Sequence, residues 1–148
     1  MNCYLDSSAL VKRYITEPGS QEIEHVFEVA EKVGTVSISR AEVTSAFAKA
    51  VRSGVVFADD AESARQRFYA EWRHFSRFRV SDFLVERACD LSWRYGLRGY
   101  DSVQLAAAQI WRETIDAPVV MVAFDTRLLE SAGLLGLELY PRELPHPR

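Results

Sequence analysis

Four carboxylates in this 148-residue chain stand where the character of the sequence changes. Asp6 follows the short apolar run Cys3-Tyr4-Leu5, and Asp125 follows the long one from Val119 to Phe124. Glu42 falls in the first turn of a helical pattern opened by Ser39, and Asp101 falls just after Gly99-Tyr100 at the start of another. All four are hard oxygen donors with no Cys or His set beside them, which suits Mg²⁺ or Mn²⁺ bound partly through water and does not suit zinc. Such a site can lower the pKa of a bound water and stabilise charge on a phosphate, so the chemistry implied is hydrolysis of a phosphodiester or phosphate ester. Each acid also has an ordinary use. Ser39-Arg40-Ala41-Glu42 matches a capping box, Asp101 can open its helix as an N-cap, and Asp6 and Asp125 can cap theirs. Capping does not explain four carboxylates brought within a few ångströms, because they would repel and raise one another's pKa. A divalent cation would supply the missing countercharge.

The elements that must position these acids alternate in kind. Strand candidates are Cys3 to Leu5, Val36 to Ile38, Phe78 to Val80, Val119 to Phe124 and Leu137 to Leu139. Between them, apolar residues recur at three- and four-residue steps from Ala9 to Tyr14, Ser20 to Lys32, Ser39 to Val51, Ala58 to Phe75, Asp82 to Tyr95, Asp101 to Thr114 and Thr126 to Ala132. Pro18-Gly19, Gly34, Gly54 and Gly96 punctuate them. Alternating strands and helices predict a three-layer α/β/α sandwich with a mostly parallel sheet of four or five strands. Ligands of such sheets bind beyond the carboxyl ends of the strands, where all four acids are expected. One domain is expected over residues 1–140, with a Pro-rich tail at 141–148.

Composition agrees with a globular protein, at 48% hydrophobic and 26% charged residues. A net charge of −3 disfavours a passive nucleic-acid binder more than a nuclease whose acids hold metal. No apolar run reaches the roughly 18 residues of a membrane span, and the first residues lack the features of a signal peptide. Cys3 and Cys89 form no metal-spaced pair and are expected to be buried, reduced thiols of a cytoplasmic protein.

Tyr4-Leu5-Asp6-Ser7-Ser8-Ala9-Leu10-Val11-Lys12 resembles the opening motif of PIN-domain nucleases. Ile38-Ser39-Arg40-Ala41-Glu42-Val43 is similar to the second motif of that family, Leu97 to Ala106 to its third, and Phe124-Asp125-Thr126-Arg127-Leu128 to its fourth. The order and spacing match along nearly the whole chain, and the length matches single-domain VapC-type toxins. The resemblance implies a PIN fold and a Mg²⁺- or Mn²⁺-dependent endoribonuclease acting as the toxin of a toxin–antitoxin pair. It makes Asp6 and Asp101 the chief metal ligands, Glu42 and Asp125 their completion, and Ser8 a hydrogen-bonding residue of the site. It also implies a homodimer, a cognate antitoxin over the acidic pocket, and cleavage leaving 5′-phosphates and 3′-hydroxyls. One departure is Ala123, where many relatives carry Thr or Ser two residues before the fourth Asp.

Two other functions compete. An Asp-nucleophile phosphatase would want a second Asp two residues after Asp6, where Ser8 stands, and an activating Lys near the last motif. Retention of all four acids argues against the other, a non-catalytic scaffold binding RNA or protein. Lys12, Arg13, Arg40, Arg98 and Arg127 lie near the motifs and could steer RNA. Arg65, Arg67, Arg73, Arg77 and Arg79 alternate with Phe68, Tyr69, Trp72, Phe75 and Phe78, a pattern that serves either RNA stacking or core and partner contacts. His25, His74 and His146 read as surface or packing residues.

Overall fold

The most buried strands of this chain are short and apolar on both faces because helices lie above and below them. The computed structural model describes residues 1–143. Its elements run β1 (Asn2–Leu5), α1 (Ser7–Tyr14), α2 (Ser20–Val29), β2 (Lys32–Val36), α3 (Ser39–Arg52), α4 (Ala58–Trp72), β3 (Ser76–Phe78), α5 (Asp82–Tyr95), α6 (Gly99–Ile115), β4 (Val119–Val122), α7 (Thr126–Leu134) and β5 (Glu138–Tyr140). The five strands pair in parallel in the order β3-β2-β1-β4-β5. This is the expected α/β/α sandwich. The tail from Leu144 onward, with His146, lies outside the described residues.

The period of two along each strand divides the core. Tyr4, Val36, Val119 and Met121 point to the layer of α5, α6 and α7, where they meet Leu84, Leu91, Leu105, Trp111 and Leu128. Cys3, Leu5, Val120 and Val122 point the other way, onto α1 to α4 through Leu10, Ile23, Val43 and Phe68. Phe68 is fully buried, with ring centroids 5.2 Å from Tyr14 and 5.4 Å from Trp72. Phe68, Trp72 and Phe75 of the basic–aromatic stretch therefore belong to the core and present no stacking surface.

Several element boundaries differ from the sequence pattern, most of all around Gly34. Gly34 was expected to close a helix reaching Lys32, with a strand from Val36 to Ile38. Instead α2 stops at Val29 and Gly34 sits inside β2. A Cβ at Gly34 would meet the Trp111 ring at 2.7 Å and the Phe78 ring at 3.0 Å, so the glycine lets a tryptophan of α6 lie against the sheet. Likewise β3 begins at Ser76, two residues before the expected strand. Gly34→Ala should destabilise the fold by about 1–3 kcal/mol through overpacking, read as a lower urea midpoint with an unchanged slope. One thiol is also misplaced by the sequence reading: Cys3 is buried, but Cys89 is exposed on α5.

Candidate active site

In an all-parallel sheet every strand delivers its carboxyl end to the same edge, and this sheet reverses direction of growth between β1 and β4. The chain builds outward from β1 through β2 to β3, then returns to add β4 on the other side, which leaves a crevice at that point. Asp6 directly follows β1, and its N–H donates to the Val122 carbonyl at 3.3 Å. Asp125 follows β4 by two residues. The helices after β2 and after the α5–α6 turn bring Glu42 and Asp101 to the same place. Asp6, Glu42, Asp101 and Asp125 line one cleft of about 310 Å³, together with Ser7, Ser8, Arg98 and Gln104.

The four acids get there by different local means. Asp6 is the N-cap of α1, accepting the Ala9 N–H at 2.9 Å, and the Ser8 hydroxyl reaches its carboxylate at 2.9 and 3.0 Å. Asp125 caps α7 through the Leu128 N–H at 2.9 Å. The capping expectation fails for the other two. Ile38, in helical conformation and without a side-chain bond, precedes α3, and Ser39 is a buried helical residue that does not cap. Glu42 is turned to the Ser7 hydroxyl at 2.8 Å. Asp101 sits inside the first turn of α6, whose N-cap is Arg98. Two acids thus serve their helices and the cleft at once, and two serve only the cleft.

Burial, and after it the crowding of negative charge, raises the pKa of two of these acids. Asp6 is 5% exposed, and its pKa is raised from 3.8 to about 7. Burial is the largest cause; the Asp101 and Glu42 carboxylates add to it, while the Ala9 N–H and the Ser8 hydroxyl oppose it. Asp101 is raised as well, first by burial and then by Asp125 and Glu42, with the Arg98 guanidinium opposing. Among the described residues, Arg98 is the one basic side chain lining the cleft. The other candidate cations are engaged elsewhere. Lys12 pairs with Glu17 at 2.9 Å, Arg13 with Glu71 at 2.8 Å, Arg40 lies over the Tyr69 ring, and Arg127 donates to the Gly96 carbonyl.

Beneath the acids lies a polar group that the sequence reading overlooked. Gln104 is 2% exposed; its Oε1 accepts the Tyr4 hydroxyl at 2.6 Å, and its Nε2 lies 2.9 Å from Glu42 Oε1, 2.9 Å from Ser7 Oγ and 3.0 Å from Ser39 Oγ. Ser39 in turn meets Thr35 at 2.7 Å, and Thr35 donates to the Leu5 carbonyl at 2.8 Å. The available signal was a glutamine one turn after Asp101, leading the otherwise apolar run Leu105-Ala106-Ala107-Ala108 that faces the core.

The donor set fits a hard divalent cation, since the cleft gathers four carboxylates against one guanidinium and buries Asp6, whose pKa is raised to about 7. It is not a closed cage. Among the described residues no three Asp, Glu, His or Cys side chains are grouped so as to hold an ion by themselves. Such a cleft suits Mg²⁺, an ion that keeps several of its waters and takes one or two carboxylates. Another cavity of about 410 Å³, between α2 and β5, is walled mainly by Val26, Val29, Val120, Val122 and Leu139 and holds, among the described residues, a single carboxylate, Glu138. No helix among the described residues is long and apolar enough to cross a membrane.

The PIN domain family model matches residues 3–134. Ribonuclease VapC46 of Mycobacterium tuberculosis is 30% identical over 134 residues, covering 90% of this chain and 92% of the relative. A toxin–antitoxin complex from Klebsiella pneumoniae superimposes with a TM-score of 0.63 at 20% identity, over 84% of this chain and 88% of that one. FitAcB from Neisseria gonorrhoeae gives 0.66 at 11% identity, over 93% and 96%. The two structural likenesses concern the fold.

Proposed function

The chain belongs to the PIN-domain family and is homologous to VapC-type toxins, and on that premise we propose that it is a Mg²⁺- or Mn²⁺-dependent endoribonuclease working in the four-carboxylate cleft. The observation that carries this reading is the convergence of Asp6, Glu42, Asp101 and Asp125 from four separate segments onto one crevice at the carboxyl edge of the sheet. A divalent cation bound there supplies charge to a scissile phosphate and lowers the pKa of a coordinated water.

The roles of the chain's own residues follow from their surroundings. Asp6 and Asp101 are the principal ligands, as the family motifs in which they stand imply, and a cation would relieve the burial that opposes the ionisation of both. Glu42 and Asp125 complete the acidic wall. Ser8 fixes the orientation of Asp6 through its hydroxyl. Arg98 brings the countercharge that lets a polyanion approach an acidic cleft, and its guanidinium is shaped to contact phosphate oxygens. Hydrolysis of RNA by this route leaves a 5′-phosphate and a 3′-hydroxyl.

Partners belong to the same proposal. The relative of known structure from Klebsiella is a toxin–antitoxin complex, and a cognate antitoxin placing a basic side chain among the carboxylates would block the cleft directly. Trp93, Phe57 and Leu134 are exposed apolar side chains available to such a protein or to a second copy of this chain in a homodimer. The cytoplasm is the compartment this reading requires.

Purified protein freed of antitoxin and incubated with total cellular RNA should make discrete cuts in Mg²⁺ or Mn²⁺ and none in EDTA, with 5′-phosphates at the mapped ends. Cutting that persists in EDTA would reject the metal-dependent mechanism. A folded protein that cuts nothing would favour the scaffold.

A further inference from the structure

We infer that Gln104 is a positioning residue for Glu42: its buried amide, latched by the Tyr4 hydroxyl, holds Oε1 of the Glu42 carboxylate so that Oε2 is left to serve the cleft. The inference rests on that cleft being the active site. Its basis is the direction in which the hydrogens must run. The Val36 N–H donates to the Tyr4 hydroxyl oxygen at 3.1 Å, so the Tyr4 hydrogen goes to Gln104 Oε1 at 2.6 Å. That fixes the amide with Nε2 toward Ser39, Ser7 and Glu42. The flipped amide would set its oxygen against a carboxylate oxygen 2.9 Å away.

The remaining hydrogens can be placed consistently with this amide. Thr35 donates to the Leu5 carbonyl, which can only accept; Ser39 donates to Thr35 and receives one Nε2 hydrogen. The second Nε2 hydrogen is directed to Glu42 Oε1 and its neighbour Ser7 Oγ, while the Ser7 hydroxyl itself donates to Glu42 Oε1 at 2.8 Å. Glu42 Oε1 thus receives donors from α1 and α6, and Oε2 has no protein partner among the described residues. No buried side-chain polar atom among the described residues lacks a partner. A fully satisfied network of this kind has little freedom to rearrange, since each lost bond would leave a buried group unpaired. Gln104 therefore joins β1, β2, α1, α3 and α6 at one point under the cleft.

Gln104→Met keeps the length and removes both polar ends; Tyr4→Phe keeps the amide and removes only its latch. Three readouts apply to each variant: the Glu42 side chain in a crystal structure, Mn²⁺ affinity by calorimetry, and the Mg²⁺ concentration giving half-maximal RNA cleavage. In Gln104→Met, Glu42 should spread over more than one rotamer and Mn²⁺ affinity should fall about 10–100-fold. The Mg²⁺ requirement should rise in step, saturating Mg²⁺ should recover most of the rate, and KM for RNA should stay unchanged. Tyr4→Phe should give a smaller change in the same direction. Glu42 in its original place with unaltered Mn²⁺ affinity overturns the inference, and so does a rate loss that Mg²⁺ does not recover and that tracks a lowered melting temperature. If the wild-type protein itself neither binds Mn²⁺ nor cuts RNA, the nuclease reading fails, and the position of Glu42 in the variants still decides the inference.

Discussion

Asp6→Asn should reduce metal-dependent RNA cleavage by at least about 100-fold while leaving the protein folded, because it removes a carboxylate from the cleft without removing a cap. Asn accepts the Ala9 N–H as Asp does, and it still offers an oxygen to the Ser8 hydroxyl, so α1 keeps its start. The charge that would hold a cation is gone. Asp6→Ala is the informative contrast: it should lose cleavage equally but also forfeit about 1 kcal/mol of capping. Asp101→Asn should lose cleavage on the same scale with no capping consequence, since Asp101 caps nothing. Initial rates on a mapped RNA site, with circular dichroism as the control for folding, check all three variants. Near-normal cutting by Asp6→Asn would remove Asp6 from the mechanism. Loss of cutting with growth inhibition in cells retained would point to the scaffold reading, because binding would then carry the biological effect.

The legible part of this molecule was its alternation of strands and helices and the acids at the changes between them. Apolar runs such as Val119 to Val122 announce a doubly covered strand, and a carboxylate directly after such a run is placed by the parallel sheet whatever else the chain does. Two things were not legible, and both depend on partners far away in sequence. Gly34 reads as a helix stop until Trp111, in a helix far along the chain, is seen to need the space. Ser39 and Glu42 read as a capping box because their spacing satisfies that local rule, yet both are claimed by Gln104 across the core. Local hydrogen bonding lost to a buried network there, since a cap at the surface can be replaced by water and a buried amide cannot. Arg98 was distinguishable from the other nearby cations only once the ion pairs of Lys12 and Arg13 were known. Within the basic–aromatic stretch, Phe68 and Trp72 fall on the buried face of α4, and Arg65 and Arg67 on its exposed face.

The metal-free protein should lose stability as pH rises toward neutrality, and Asp6→Asn should suppress much of that loss. Asp6 has a folded pKa of about 7 against an ordinary 3.8, so between these values the native state carries a proton that the unfolded chain does not. Unfolding in that window releases the proton, so stability falls with increasing pH. The contribution is fully present below about pH 4 and exhausted just above pH 7, and the whole span is on the order of 4 kcal/mol. Asp101 is shifted in the same direction and adds to the slope. Other carboxylates release protons below pH 5, so the clean comparison is pH 5 to 8 in EDTA, where about 3 kcal/mol is at stake and the melting temperature should drop by roughly 5–10 °C. Asp6→Asn has no proton to release at that position, and its melting temperature should exceed wild type at pH 8 while matching it more closely at pH 5. Added Mg²⁺ should raise the wild-type value at pH 8 and leave Asp6→Asn nearly unmoved, because a ligand that binds only the folded state stabilises it in proportion to its affinity. A wild-type protein equally stable at pH 5 and pH 8, and indifferent to Mg²⁺, would mean that the cleft holds no charge strain for a cation to relieve.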